Sequence, residues 1–197
     1  MSPANPKSHK QIVDLLKKLN AKIDDGEAPG EESLILVTPL GTDATAASLE
    51  EGLDPERTIA IDTLLALDTR RTIMKTPVTD PAFTASARGL FGIDGTPVTV
   101  IRDSAGFVAQ RILAMIVNIG CSIAQSGAAT PEDIDKAVTL GLGYPHGPLA
   151  FGDFLGVDRV LEILNSIFET TGDPRYRPTP WLRRRALLGK SLLTPEN

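Results

Sequence analysis

The sequence predicts a small α/β domain over residues 1–103, followed by an all-helical domain over 104–197. Three observations support this prediction. Short β-branched runs alternate with helical patterns as far as Arg102, which is typical of a mostly parallel sheet with helices against it. No run with strand character follows Gly106. The second half opens instead with a helix of about 20 residues, whose apolar side chains cover more than one face.

The elements of the first half are predicted from local patterns. An amphipathic helix over 8–22 has leucine and isoleucine at helical spacing and lysines on the other face. A short alanine-rich helix is expected over 43–52, and another begins at Asp80, with Pro81 in the favoured first helical position, and ends at Gly92 or Gly95. Aliphatic and β-branched runs predict the strands, over 34–37, 58–64, 70–74 and 96–102.

The second half is predicted to contain five helices. Thr-Pro pairs at 130–131 and 179–180 are typical helix starts, because the threonine caps and the proline occupies the first turn. Gly141 and Gly143 are expected to end the first of these helices, and Gly189 the second. The predicted helices span 106–126, 130–143, 147–155, 157–171 and 179–188.

Composition excludes several classes of function. The net charge of −5 argues against a general nucleic-acid binder. Cys121 is the only cysteine, so the chain has no internal disulfide and no thiolate metal cluster, and no second His or Cys near His146 has ligand spacing. Polar residues interrupt the long apolar helix, which argues against a membrane span. The polar opening residues do not resemble a signal peptide, so we expect a cytoplasmic protein that binds neither membrane nor metal.

Three motifs occur in a fixed order in the helical half. They are GFVAQR at 106–111, TPEDID at 130–135 and GLGYPHGPLAFGD at 141–153. Together they resemble the helical domain of the 3-hydroxyacyl-CoA dehydrogenases, and the resemblance extends more weakly back to about Ser33. It implies a truncated, degenerate Rossmann-like NAD-binding domain, followed by a helical domain of the 6-phosphogluconate-dehydrogenase C-terminal type.

The family resemblance also implies a chemistry, which this sequence departs from. The family transfers hydride from a 3-hydroxyacyl thioester to NAD, with a histidine base, a glutamate that orients it and an asparagine that helps to hold substrate. No G-x-G-x-x-G motif for dinucleotide phosphates occurs here. Counted without gaps, the histidine position falls on Ala60, the glutamate position on Thr72 and the asparagine position on Gln110. We therefore expect no catalytic residue and no bound cofactor in this portion, with NAD implied for the parent enzyme.

Four residues are candidates for contact with substrate, each with a structural alternative. Gln110 and Arg111 could line a pocket, or could cap backbone and pair with an acid. Tyr144 lies in an elbow that could face substrate or act as a rigid turn. Asp153 could bind substrate, or could have a structural role as a helix cap or in an ion pair. Five arginines could bind phosphates of CoA, or could form a solvated face paired with acids. They are Arg175, Arg177, Arg183, Arg184 and Arg185.

The resemblance leads to one hypothesis of function and two alternatives. The chain is interpreted as the silent C-terminal portion of a duplicated 3-hydroxyacyl-CoA dehydrogenase, packed on the N-terminal dehydrogenase domains of the same protein. In the first alternative it covers substrate and completes an active site with an N-terminal domain. In the second it is purely a dimerisation module. The broad apolar surface of the 106–126 helix predicts a homo-oligomer through that helix.

Overall fold

The structure, a computed structural model, describes residues 6–24, 26 and 28–196. The chain forms two compact units, Met1–Phe107 and Val108–Asn197. The division falls at Phe107, slightly beyond the predicted boundary at residue 103. The first unit contains a four-stranded sheet with three helices, and the second contains only helices among its described residues.

The first unit follows the predicted order of elements. Its helices and strands are α1 (Pro6–Lys18), β1 (Ile35–Val37), α2 (Ala44–Glu50), β2 (Thr58–Ile61), β3 (Arg71–Lys75), α3 (Pro81–Gly92) and β4 (Val98–Ile101). Several elements are shorter than expected, and the first helix and the second strand are examples. The first helix ends at Lys18, because Asn20 adopts a left-handed conformation with φ of 55°. The second strand ends at Ile61, and Asp62 and Thr63 already lie beyond it.

The sheet has the order β1-β2-β3-β4. The pairs β1–β2 and β3–β4 are parallel, as the alternation of strands and helices predicts, but β2 and β3 are antiparallel. The physical reason lies in the connections. A parallel crossover needs about a dozen residues and usually a helix, and α2 and α3 supply one for the two parallel pairs. The segment 62–70 between β2 and β3 is shorter and has no helix, so the chain returns in the opposite direction.

Apolar side chains cover both faces of the sheet. In β2, Ile59 and Ile61 face the core formed with α1 and α3, while Ala60 faces the core formed with α2. Arg71 lies fully buried on the first face. Its guanidinium group donates to both carboxylate oxygens of Asp94 at 2.8 Å and to the carbonyl oxygens of Leu67 and Phe91. A buried cation is tolerated here because it forms four hydrogen bonds, two of them to a carboxylate that balances its charge.

The connection to the second unit is anchored on α2. Asp103 accepts hydrogen bonds from the backbone amides of Ala44 at 2.8 Å and Thr45 at 3.2 Å. Gly106 and Phe107 then adopt left-handed conformations with φ of 76° and 44°. For this reason the long helix begins at Ala109, three residues later than the sequence pattern predicts.

The second unit is helical throughout its described residues. Its elements are α4 (Ala109–Gln125), α5 (Pro131–Leu142), α6 (Pro148–Leu155), α7 (Val157–Thr171), a 3₁₀ turn (Pro174–Tyr176) and α8 (Pro180–Leu188). The predicted caps are confirmed. Thr130 accepts from the amide of Asp133 and Thr179 from that of Leu182, while Gly143 and Gly189 end their helices in the left-handed conformation.

Helix α4 is central to the second unit, which is one of the two positions, with a subunit interface, that its broad apolar surface predicts. It contacts each of the other four helices. Glycines allow the close approach of α6: a Cβ added to Gly120 would lie only 2.7 Å from the Cβ of Pro148, and one added to Gly152 would lie 2.7 Å from Val117 Cγ1. No helix in the described part of the chain is long and apolar enough to cross a membrane.

Candidate functional site in the helical unit

The elbow between α5 and α6 is held by one carboxylate. Asp135, near the start of α5, accepts hydrogen bonds from the amides of Leu149 and Ala150, each at 2.8 Å. These amides belong to the first turn of α6, where helix geometry leaves donors without partners and the helix dipole favours a negative charge. The preceding residue, Gly147, cannot cap the helix with a side chain, and a Cβ there would overlap Asp135. The last residue of TPEDID and the glycine of YPHGP therefore form one contact.

The two motifs are thus linked by the cap that Asp135 provides for α6. The sequence did not predict this capping role for Asp135. The only local signal is a helix start without its own capping side chain, at Gly147-Pro148. Such a start predicts that a distant group supplies the cap, but it does not identify the group. The two hydrogen bonds from Asp135 therefore fix the start of α6 directly after the elbow that contains Tyr144.

The elbow presents aromatic rings at the surface. The ring of His146 lies 5.8 Å from Phe151 and 5.7 Å from Phe154, centroid to centroid, and the planes differ by 26° and 22°. Phe154 is 65% exposed and Tyr144 is 37% exposed. Phe151 and Phe154 had no role in the sequence prediction. Their three-residue spacing on α6, which puts both on one helical face, is the signal for this aromatic cluster.

Asp153 on α6 lies in a network of internal hydrogen bonds. Its Oδ1 accepts from the amide of Leu192 at 2.8 Å, and its Oδ2 accepts from the hydroxyl of Ser191. These bonds hold the segment after α8 against α6. The structure thus places Asp153 where it stabilises the fold.

Gln110 and Arg111 lie at the start of α4 in different environments. Gln110 is fully buried. The guanidinium carbon of Arg111 lies 5.6 Å from the centroid of the Tyr176 ring, which is a cation–π distance. The two residues are therefore directed toward the interior and toward the 3₁₀ turn, in contrast to the exposed ring of Tyr144.

Asn118 is a polar residue in the buried stripe of α4 that the sequence reasoning missed. Its Nδ2 donates to the carbonyl oxygen of Arg177 at 3.0 Å, and its Oδ1 accepts from the amide of Thr179 at 2.9 Å. Both bonds fix the backbone that leads into α8. A buried asparagine in an apolar helix indicates such a role, because an unpartnered amide there would be costly.

Most of the arginines considered for CoA phosphates have partners within the chain. Arg175 pairs with Asp173, and Arg184 and Arg185 lie 3.8 and 3.7 Å from Glu196. Arg185 also lies over the Trp181 ring and donates to the carbonyl oxygen of Thr194. These contacts support the structural alternative, a helix face paired with acids.

The remaining predicted positions, Ala60 and Thr72, lie in the neighbouring strands β2 and β3. Ala60 is buried inside β2 opposite Met74, and the first residue beyond that strand is Asp62, whose amide donates to the carbonyl oxygen of Thr72. Cys121 is buried, and burial raises the pKa of its thiol to about 12, so it is a packing residue. No cluster of metal-ligating side chains occurs among residues 6–24, 26 and 28–196.

The helical unit matches a known family. The family model described as "3-hydroxyacyl-CoA dehydrogenase, C-terminal domain" matches residues 106–192. The chain is 45% identical over 94 residues to a 3-hydroxyadipyl-CoA dehydrogenase of Escherichia coli K12, covering 48% of this chain and 20% of the relative. It is 38% identical over 95 residues to a probable 3-hydroxybutyryl-CoA dehydrogenase of Bacillus subtilis, covering 48% of this chain and 33% of the relative.

Solved structures extend the likeness to the first unit. The crystal structure of 3-hydroxybutyryl-CoA dehydrogenase from E. coli K12 matches with a TM-score of 0.71 and 32% identity, over 85% of this chain and 35% of that chain. FadB2 of Mycobacterium tuberculosis shares the fold, with a TM-score of 0.76 and 22% identity over 98% of this chain and 69% of that chain. The chain spans only 20% and 33% of the two curated relatives named above.

Proposed function

We propose that the chain is the catalytically silent C-terminal portion of a 3-hydroxyacyl-CoA dehydrogenase, since residues 106–192 match the model of that family's C-terminal domain. In this proposal another portion of a longer protein carries out the NAD-dependent oxidation of a 3-hydroxyacyl-CoA. The observation that carries the proposal is the use of three polar residues of the helical unit, Asn118, Asp135 and Asp153, for internal hydrogen bonds. In this proposal these three side chains build a scaffold and do not act on a substrate.

The helix starts of the first unit do not fit the phosphates of NAD. Such phosphates bind at the start of the helix in a β-α-β unit, where backbone amides point at the ligand. At the start of α2, the amides of Ala44 and Ala46 already donate to the carboxylates of Asp103 and Asp43. At the start of α3, the amide of Ala82 donates to Asp80. Carboxylates at both sites repel phosphate, so we assign NAD to the other portion of the protein.

An activity assay tests the proposal directly. The 197-residue chain is incubated with NAD and 3-hydroxybutyryl-CoA, and NADH is followed by its absorbance. We expect no NADH above the rate without protein, while the B. subtilis relative, assayed in parallel, serves as the positive control. NADH production that rises in proportion to the concentration of this chain would disprove catalytic silence.

The outer face of α4 supports a second role in association. Val108, Ile112, Ile119 and Ile123 are 53%, 54%, 55% and 38% exposed. At about 100° per residue these four positions fall within roughly 60° of one another, so they form a single apolar stripe. An uninterrupted stripe of this kind is typical of a protein interface. We assign it to homo-oligomerisation and, in the longer protein, to packing against the N-terminal dehydrogenase domains.

Light scattering tests the association. We expect a dimer or larger assembly for the chain, and a monomer for Ile112→Asp combined with Ile119→Asp. The control is Leu187→Asp, which introduces the same charge at a 79% exposed position on α8. A monomer at high concentration without any substitution, or an unchanged assembly in the double variant, would contradict the role of the stripe.

A further inference from the structure

A groove of about 700 Å³ runs along one side of α3 in the first unit. Lys75 at the end of β3 lines it, together with Thr84 and Arg88 of α3. Three small residues of the same helix, Ala85, Gly89 and Gly92, complete this side of the helix. The volume is within the range of sites that bind small organic ligands, about 300 to 1,000 Å³.

The groove is positively charged in an otherwise acidic protein. Lys75 and Arg88 are its two charged lining residues, and no acidic residue lines it, although the chain carries a net charge of −5. Neither cation forms an ion pair or a side-chain hydrogen bond with any residue that the structure describes. This distinguishes them from Arg71, Arg175 and Arg185, whose charges are matched within the fold.

Two further features of α3 have no explanation in the packing of the unit. Gly89 lies inside the helix, where glycine is unfavourable, and a Cβ added there would meet no atom within 4 Å. The Thr84 hydroxyl is out of contact with solvent and has no hydrogen-bond partner in the described part of the chain. A ligand would account for both, since the glycine keeps the groove open and rotation about Cα–Cβ would turn the hydroxyl toward the occupant.

We propose that this groove binds a ligand that carries phosphoryl groups. The guanidinium of Arg88 can donate two parallel hydrogen bonds to phosphoryl oxygens, while Lys75 adds a second positive charge and Thr84 a neutral donor. The length of the groove beyond these three residues leaves room for an organic group on the small residues of α3. This site lies on the side of α3 and is separate from the helix starts occupied by Asp43, Asp80 and Asp103.

Calorimetric titration of the 197-residue chain tests the proposal with pyrophosphate and with ADP, which separate a bare phosphoryl ligand from one with an organic group. We expect saturable binding of at least one of them, weakened by added salt because the contacts are ionic. Lys75→Met and Arg88→Met should each weaken binding on the order of tenfold or more. Lys17→Met removes the same charge from an exposed position on α1 and should leave the affinity unchanged.

Gly89→Leu separates a loss of binding from a loss of folding. Because the position faces open space, the leucine should leave the urea unfolding midpoint of the chain no lower, yet it should fill the groove and abolish binding. The assay contains no CoA thioester or NAD, so its outcome is independent of the proposed dehydrogenase role. The proposal is overturned if neither ligand binds saturably at millimolar concentration, or if Lys75→Met, Arg88→Met and Gly89→Leu bind as the unchanged chain does.

Discussion

The carboxylate of Asp135 should be among the most important single groups for the stability of the helical unit. It accepts from two backbone amides of α6, at 2.8 Å each, and Leu149, which supplies one of them, is fully buried. Substitution Asp135→Ala leaves both amides without an acceptor. A lost helix cap costs about 1 kcal/mol, and a buried unsatisfied donor adds about 1 to 2 kcal/mol. We therefore expect a loss of about 2 to 3 kcal/mol in the free energy of unfolding.

Urea unfolding followed by tryptophan fluorescence measures this loss specifically in the helical unit. Trp181 is the only tryptophan of the chain, and it is buried in the helical unit. For a unit of this size, a urea slope of roughly 1 kcal/mol/M converts the expected loss into a fall of about 2 to 3 M in midpoint. Asp135→Asn keeps one oxygen acceptor and should lose about half as much.

The control is Glu132→Ala, which removes an exposed carboxylate from the first turn of the same helix. Its cost should stay within about 0.5 kcal/mol. If Asp135→Ala and Glu132→Ala lower the midpoint equally, the cap on α6 does not stabilise the unit. In that case the contact of Asp135 with the first turn of α6 is not what holds the two motifs together.

Three other predictions concern packing, pH and reactivity. Gly120→Ala should lower the free energy of unfolding of the helical unit by about 1 to 3 kcal/mol, because the added Cβ would lie 2.7 Å from Pro148. Gly141→Ala has open space around it and should raise that free energy by about 0.5 to 1 kcal/mol in the same urea assay. The Arg71 guanidinium holds the pKa of Asp94 below its usual range. The unfolded-state pKa is higher, about 3.9, so the pair stabilises the first unit above that pH. This contribution is lost progressively as the pH falls further. Circular dichroism should therefore show a loss of stability of the unchanged chain in this acid range, and a smaller loss for Asp94→Asn. Cys121, with its thiol pKa raised to about 12 by burial, should react with a thiol reagent only after urea unfolds the helical unit, and rapid labelling of the native chain would contradict this.

Local signals were sufficient to predict most helices and strands. Thr130-Pro131 and Thr179-Pro180 start helices because cap and first-turn geometry depend on adjacent residues only. The central position of α4 also followed from its own apolar surface. Where the predictions differ from the structure, the competing influence was not local. Phe107 adopts a left-handed conformation that its own type does not favour, so the start of α4 was predicted too early.

The candidate site was less accessible to sequence reasoning, because its residues act on partners distant in the chain. Asp135 and Asn118 reach residues 14 and 59 positions away, and no periodic pattern specifies such pairs. Asp153 was identified as a polar residue of interest, yet its partners Ser191 and Leu192 lie 38 and 39 positions further on. The chemistry of a carboxylate is the same in a cap and in an active site, and only its neighbours distinguish the two.

The sequence by itself determined the resemblance of the helical half to a known family, the order of its elements and the lack of a glycine-rich phosphate loop, since each of these depends on consecutive residues. Only the tertiary structure decided that β2 and β3 run antiparallel, that the motif carboxylates serve α6 and the segment after α8, and that Lys75 and Arg88 share a groove without acids. The reason is that these properties depend on which distant groups meet. Their energies come from desolvation and paired hydrogen bonds that exist only after the chain has folded.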